Sequence, residues 1–234
     1  MELLDGLRST GAVRAFTDQP VDRSTVYDLL ETARFAPNGG NRQGWRVVVV
    51  EDPELRTQLR DLYLGPWYEY LSMGAAGLTA FAPITNRAAE AAAIAEAPAL
   101  AAAMSAGPGG FAEHLDSAPV LLMLVADLRC LATTDRDLDR YTLVGGGSIY
   151  PFAWSLLLAA RAHGLGGVLT TMLARVEDDV RPLIGMEDHH AIAGLIALGY
   201  PEHQPTKLRR QPVETFATID RLDGQPFTKD APTS

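Results

Sequence analysis

A cluster of cationic and hydroxyl side chains near the amino terminus could bind an anion. Arg8, Ser9 and Thr10 are consecutive, and Arg14 follows them closely. Cations and hydroxyl groups at the end of a helix are suited to holding an anionic group. Taken alone, the same residues are more typical of solvated charges on a terminal helix.

A second basic cluster lies near the carboxyl terminus and consists of Lys207, Arg209 and Arg210. Three charges are too few to follow a nucleic-acid duplex, but they suit one phosphate group. The chain of 234 residues carries a formal net charge of -9. Because an acidic protein repels a phosphate backbone, we expect no nucleic-acid partner.

The segment 38–45 combines glycines with amide side chains between a predicted helix and a predicted strand. Amides can recognise the edge of a flat heteroaromatic group, because each one offers both a donor and an acceptor. Alone, such a segment is more often a plain turn. The segment holds the amide side chains of Asn38, Asn41 and Gln43 and three glycines, Gly39, Gly40 and Gly44.

Other common kinds of site are not indicated. The chain has one cysteine, Cys130, which excludes an intramolecular disulfide and suits a reducing cytoplasm. Residues 145–147 are all glycine but lack the spacing of a dinucleotide-binding turn. His189 and His190 are adjacent, so on a helix their rings would point about 100° apart and could not share a metal. We therefore expect no metal site.

The elements that position these clusters can be predicted from hydrophobic spacing and from glycine and proline. Helices are predicted at 2–9, 22–36, 54–62, 148–163 and 176–184, and strands at 47–50, 119–126, 168–170 and 191–198. We find no internal repeat and no clear linker. The pattern therefore predicts a single α+β domain over residues 1–234.

Two segments stand apart from this pattern. An alanine-rich helical insert is predicted at about 64–114, either as a lid and pocket wall or as a mobile surface appendage. Prolines and charges predict an extended arm at about 201–234. The helix at 148–163 is apolar all round, which predicts burial in the core or in a subunit interface. The apolar run 120–126 is too short to cross a bilayer, and the amino terminus does not resemble a signal peptide, so we expect a cytoplasmic protein.

Four motifs, in this order, resemble those of the nitroreductase superfamily. They are A-V-R-A-F-T at 12–17, A-P-N-G-G-N-R-Q-G-W at 36–45, L-L-L-A-A-R-A-H-G-L-G at 156–166 and I-A-L-G-Y-P at 196–201. The resemblance covers residues 7–63 and 115–220 and leaves out the insert. It implies a mixed five-stranded sheet flanked by helices, in a homodimer in which the partner's carboxyl-terminal arm supplies one strand. Two FMN molecules would lie in the dimer interface.

The resemblance also assigns cofactor contacts. Arg8 and Thr10, with Arg209 or Arg210, would hold the FMN phosphate, and Arg14 would lie at the N1/O2 edge of the ring. The partner's loop would contribute Pro37, Asn38, Gly39, Asn41 and Gln43. Ser148 would lie near the cofactor at the start of the central helix, and Leu169, Thr170 and Thr171 would run under the ring near N5. The resemblance implies no catalytic side chain, since flavin N5 would carry the chemistry with Arg14 as electrostatic support.

The activity implied is ping-pong transfer of hydride from NADPH or NADH, through flavin N5, to a nitroaromatic or quinone-type acceptor. Alternatives on the same scaffold are a dehydrogenase, a dehalogenase or a flavin-fragmenting enzyme, and a different class is a flavin-binding storage or sensor protein without turnover. Fold resemblance does not decide among them.

The sequence departs from the family pattern at several places, among them the absence of a counterpart for an asparagine that many relatives have in the middle segment. Many relatives read R-R-S-x-R where this chain has Thr10, Gly11 and Ala12. Asn38 replaces a more usual serine, and Met172 replaces a glycine next to N5. These departures bear on which residue holds the phosphate and on the hydrogen bond to N5.

Overall fold

The computed structural model describes residues 2–230. Its elements in chain order are α1 (Leu3–Ser9), α2 (Arg23–Ala33), β1 (Trp45–Val49), α3 (Pro53–Ala75), α4 (Arg87–Ala95), α5 (Ala97–Ser105), β2 (Val120–Asp127), α6 (Tyr150–Ala162), β3 (Gly166–Thr170), α7 (Glu177–Ile184) and β4 (His190–Gly199). Each helix and strand predicted from the sequence is present. The predicted α+β fold class is therefore confirmed.

The strands form one antiparallel sheet in the order β1-β2-β4-β3. Trp45 pairs with Ala126 in β2, and Thr170 pairs with Leu195 in β4. A parallel bridge joins Ala12 to Gly167 beside β3. The fifth strand that the resemblance assigns to a partner's arm stays a prediction.

The sheet has a core on each of its faces, and β2 shows how the sequence divides its side chains between them. Along a strand, successive side chains point to opposite faces. Leu122 and Leu124 pack with α2 and α6 on one face, while Leu121 and Met123 pack with α3 and α7 on the other. Because both faces are covered, all of β2 is buried, which explains its continuous apolar run.

Helix α3 is longer than the sequence pattern indicated. Asp52 caps it by accepting a hydrogen bond from the backbone N–H of Leu55, and Pro53 fills the first turn. The helix then continues past the predicted end at residue 62 and contains Pro66. Burial of Tyr63, Tyr68 and Met73 offsets the backbone hydrogen bond that proline cannot donate. The predicted start of the insert, at residue 64, thus lies inside α3.

The rest of the alanine-rich insert forms α4 and α5, which pack against α3 through small side chains such as Ala93 and Ala97.

Helix α6 buries Phe152, Leu156 and Ala160 in the core, whereas Trp154 on its outer face is 40% exposed. The helix predicted to be buried all round is therefore buried on its inner face within one chain. Among residues 2–230, no helix is both long and apolar enough to cross a membrane.

Candidate functional site

The backbone before α2 fixes Arg14 at the edge of the sheet. Upstream of Arg14, the N–H of Val13 donates to the carbonyl of Gly167 at 2.9 Å. Downstream, the N–H of Thr17 donates to the carbonyl of Tyr200 at 2.8 Å. Val13 is buried while Arg14 is exposed, so the segment fixes the position of Arg14 and leaves its side chain accessible.

Arg14, Tyr63 and Thr170 form the centre of the candidate site. The hydroxyls of Tyr63 and Thr170 lie 2.8 Å apart in hydrogen-bonding contact. Burial raises the pKa of the Tyr63 phenol, and both the Thr170 hydrogen bond and the positive charge of Arg14 oppose that rise. The segment before α2, helix α3 and the end of β3 therefore meet around one buried phenol.

A cavity of about 360 Å³ lies beside Arg14. Its walls come from the segment before α2, from the chain just before β2 and from the start of the arm, and they include Arg14, Phe16, Asp18, Phe111, His114 and Glu202. The ring of Phe111 meets the ring of Tyr63 edge-on, with 6.4 Å between the ring centroids. The ring of Trp67 stacks on Tyr63, with 6.1 Å between the centroids. A cationic side chain beside an aromatic wall suits a flat, polar-edged ligand.

The two basic clusters converge on Gly11. A Cβ atom on Gly11 would lie 2.9 Å from Cδ2 of Leu208 and 3.3 Å from Cβ of Pro205, so the arm packs directly over this residue. This packing brings the chain that carries Lys207, Arg209 and Arg210 to the end of α1, where Arg8 lies. Within residues 2–230, none of these four cations forms an ion pair with an acidic side chain.

Thr10 contributes differently from the neighbouring cations. It is 7% exposed, and its hydroxyl donates to the carbonyl of Gly6 at 2.7 Å. In this arrangement the hydroxyl can only accept a further hydrogen bond, whereas a phosphate needs donors. Arg8, Arg209 and Arg210 are exposed and carry the donors of the cluster.

The loop 37–43 is rigidly built. The Asn38 side-chain oxygen accepts from the N–H of Gln43 at 2.8 Å, and Asn41 and Gln43 have φ of 53° and 51°, in the left-handed region. The N–H of Gly39 donates to Ser148 Oγ at 3.1 Å. Ser148 is buried and therefore holds this loop against the start of α6. The amide side chains of Asn41 and Gln43 remain exposed.

One chain does not bring this loop to Arg14. The loop precedes β1, whereas Leu169 and Thr170 belong to β3 at the opposite edge of the sheet and Thr171 follows them. Three strand spacings separate these edges, or roughly 14 Å. The candidate residues therefore form two groups, one around Arg14 and one on the loop.

The nitroreductase family model matches residues 7–200. The chain belongs to the nitroreductase family. The matched range includes the positions of the insert, which the sequence resemblance had left out. As a member of this family, the protein is an oxidoreductase, and the predicted family, fold and enzyme class are confirmed.

Individual relatives support the same assignment. The chain is 27% identical to an NADH dehydrogenase of Thermus thermophilus, covering 87% of this chain and 88% of that protein. It is 26% identical to human iodotyrosine deiodinase 1, covering 91% of this chain and 65% of the relative.

Solved structures share the fold at lower identity. The NADPH:FMN oxidoreductase of Vibrio harveyi, in complex with NAD⁺, superposes with a TM-score of 0.63 at 20% identity, covering 93% of this chain and 76% of that one. An oxidized iodotyrosine deiodinase, bound to FMN and 3-iodo-L-tyrosine, gives a TM-score of 0.59 at 22% identity, covering 91% and 96%.

The structure adds aromatic residues that the family motifs did not indicate. Tyr63, Trp67 and Tyr70 follow helical spacing and stack in series along α3. Their spacing would have revealed this row had the helix been continued past residue 62. Phe111 has no such signal, because it reaches Tyr63 from a loop distant in sequence.

The two adjacent histidines do not lie on a helix, so the geometric reason given for excluding a metal was wrong. His190 begins β4, and the rings of His189 and His190 are 4.1 Å apart beside Asp127. Arg129 nevertheless binds both carboxylate oxygens of Asp127, at 3.0 and 2.9 Å, and holds its pKa well below the usual range. Nδ1 of His190 already accepts the N–H of Glu187. The cluster is therefore better described as an ion-pair network.

Proposed function

We propose that this protein is an FMN-dependent oxidoreductase. It takes hydride from NADPH or NADH and passes electrons to a nitroaromatic or quinone-type acceptor by a ping-pong mechanism. The observation that carries the proposal is Arg14, an accessible cation fixed beside the Tyr63–Thr170 pair and next to a cavity with an aromatic wall. The FMN named in the neighbouring flavoprotein structures agrees with it.

The basic cluster at Gly11 fits the phosphate of FMN. It provides several guanidinium and ammonium groups without acidic partners among the described residues, at a place where the arm covers the backbone. Arginine presents paired donors that match phosphate oxygens. We assign this role to Arg8 with Arg209 or Arg210, and we assign Thr10 an indirect role in shaping the end of α1.

The surroundings of Arg14 fit the isoalloxazine ring. When bound, FMN supplies the redox chemistry, by accepting hydride and releasing electrons. Arg14 would provide positive charge to the bound ring, and Tyr63 holds the hydroxyl of Thr170, which would contact the ring, by a hydrogen bond. Met172 is larger than the glycine that many relatives have at this position. It fits because its side chain packs against the core on the α3 and α7 side. Leu169 and Thr171 flank Thr170 in this assignment.

The loop 37–43 completes the site from a second chain. Its exposed residues adjoin an apolar face formed by α1, α2 and α6, where Leu3 is 69% and Phe35 73% exposed. A groove of about 420 Å³ on this face is lined in part by Phe35, Pro37 and Leu158. Apolar surface of this kind marks an interaction site. We infer a homodimer whose two FMN sites each take Asn38, Gly39, Asn41 and Gln43 from the partner.

An absorption spectrum tests the proposal directly. Purified protein, reconstituted with FMN if necessary, should show flavin bands that bleach when NADPH or NADH is added without oxygen. Addition of a quinone should then restore the bands. Bound flavin that no reduced nicotinamide bleaches would instead favour a storage or sensor protein. Protein that cannot bind FMN would overturn both readings.

A reductive dehalogenase is the second candidate, because the human relative named iodotyrosine deiodinase aligns over 91% of this chain. The same reduced protein distinguishes the two activities. Release of iodide from 3-iodotyrosine, at a rate above that of quinone reduction, would favour dehalogenation. Reoxidation by quinones and nitroaromatics alone favours the first proposal.

Deletion of residues 77–108 should leave FMN bound but change acceptor preference. Helices α4 and α5 contribute small side chains to the fold, whereas the cores on the two faces of the sheet lie outside the deleted segment. FMN content and the ratio of kcat/KM for a quinone and a nitroaromatic measure the two effects. Loss of the folded state would show that the insert is a core element rather than a lid.

We place the protein in the cytoplasm. Its one cysteine, Cys130, is partly buried and follows β2. A reduced thiol and a nicotinamide-dependent activity both suit that compartment.

A further inference from the structure

Arg175 links the insert to the turn that follows β3. It lies in the short 3₁₀ turn Met172–Val176. Its guanidinium carbon is 4.5 Å from the ring centroid of Phe81, in the loop 78–86 between α3 and α4. Its Nη2 atom lies 3.0 Å from Oε2 of Glu69 on α3. One side chain thus ties together the loop, helix α3 and the end of β3.

Phe81 is held in an unfavourable backbone conformation. Its φ is 56°, in the left-handed region that aromatic residues seldom adopt. Residues kept in such conformations occur where the surroundings hold them, and often at ligand sites. Here a cation over the ring supplies part of that restraint. Few backbone hydrogen bonds support the loop. The N–H of Leu78 donates to the carbonyl of Met73 at 2.9 Å, and the N–H of Ala82 donates to the carbonyl of Thr79 at 3.2 Å.

The direction of α3 relates this contact to the candidate site. Tyr63 on α3 meets Thr170, and further along the same helix Glu69 meets Arg175. Helix α3 therefore runs beside the chain from the end of β3 through the following turn. Phe81 is held on this line through Arg175, which follows Thr170, a residue assigned to the flavin ring, by five positions.

We propose that Arg175 is a positioning residue that holds Phe81 and the loop 78–86 as one wall of the acceptor site. It acts through Phe81, whose fixed position sets the affinity for an aromatic acceptor. This inference rests on the proposed function. The inference goes beyond the proposed function by naming the contact through which the insert selects aromatic acceptors.

The test uses the FMN-loaded protein and menadione as the aromatic acceptor. Arg175→Met keeps the side-chain length and removes the charge, so the KM for menadione should rise about fivefold while kcat changes less than about twofold. Reoxidation by dioxygen, which needs no fitted pocket wall, should be unchanged. Arg175→Lys retains a cation and should recover part of the KM.

A double-mutant cycle identifies Phe81 as the partner. Phe81→Leu removes the aromatic face, and adding Arg175→Met to Phe81→Leu should produce no further rise in KM if Arg175 acts through Phe81. Arg23→Met is the matched control, because Arg23 is an exposed arginine that pairs with Glu51 at 3.7 Å on a different part of the molecule. An unchanged KM in Arg175→Met, or an equal rise in Arg23→Met, would overturn the proposal.

Hydrogen exchange separates this inference from the proposed function. If the parent protein shows no turnover with any acceptor, the proposed function fails. The amides of Leu78 and Ala82 then report on the loop directly. Their exchange should be about fivefold faster in Arg175→Met than in the parent or in Arg23→Met. Equal exchange in all three proteins would show that Arg175 does not position the loop.

Discussion

Replacing Arg14 with alanine should lower the midpoint potential of bound FMN and slow its reduction by NAD(P)H. Reduction adds negative charge at the pyrimidine edge, where the proposal places Arg14. A fixed cation facing developing charge is worth about 2–4 kcal/mol. Because Arg14 is exposed in one chain, we expect the lower end of this range, which corresponds to about 40 mV for a two-electron couple. A potentiometric titration beside stopped-flow reduction measures both effects.

Two further variants distinguish the effect of a positive charge near the flavin ring from the effect of a positive charge near the FMN phosphate. Arg14→Lys should recover part of the potential and of the rate, because lysine keeps the charge but not the planar donor fork. Arg8→Ala should weaken FMN binding and leave the potential of the bound flavin unchanged. If Arg14 were only a surface charge, Arg14→Ala would change the free energy of unfolding by less than about 0.5 kcal/mol and would leave the redox behaviour of the flavin unchanged. If Arg14→Ala binds FMN normally and matches the parent in potential and rate, our placement of the amino-terminal motif is wrong.

The sequence predicted the fold well where burial leaves a continuous signal. The apolar runs of β2 and β4 were identified because both faces of the sheet are covered. The end of α3 was misplaced because Gly65 and Pro66 are typical of a helix stop. Packing of Tyr63, Tyr68 and Met73 overrides that local preference, and a single sequence does not show such tertiary contacts.

The candidate site was predictable only where a motif is local. The segment around Arg14 and the loop 37–43 each contain their own signal, and both were identified. Phe111 contacts Tyr63 from a loop distant in sequence, so no spacing connects it to the site. Thr10 and Ser148 were identified by position, but their internal hydrogen bonds to Gly6 and Gly39 depend on the folded backbone.

The variant Trp154→Lys with Leu158→Lys should be a monomer that no longer holds FMN. These residues are one helical turn apart on the outer face of α6, where Trp154 is 40% exposed and Leu158 lines the apolar groove. An unpaired charge buried in an apolar interface costs several kcal/mol, and each 1.4 kcal/mol weakens association about tenfold. Sedimentation should show the parent near twice the chain mass of 25.2 kDa and the variant near one chain mass.

The loss of FMN makes this prediction more than a test of assembly. A monomer retains Arg14, Tyr63 and the phosphate cluster, so a site formed by one chain would keep its flavin. Only a site that needs the partner's loop 37–43 should lose it. Ile84→Lys is the matched control, since Ile84 is 93% exposed on the insert and should leave mass and FMN content unchanged. A folded monomer with FMN bound at parental affinity would refute the shared site and assign the loop 37–43 to a purely structural role.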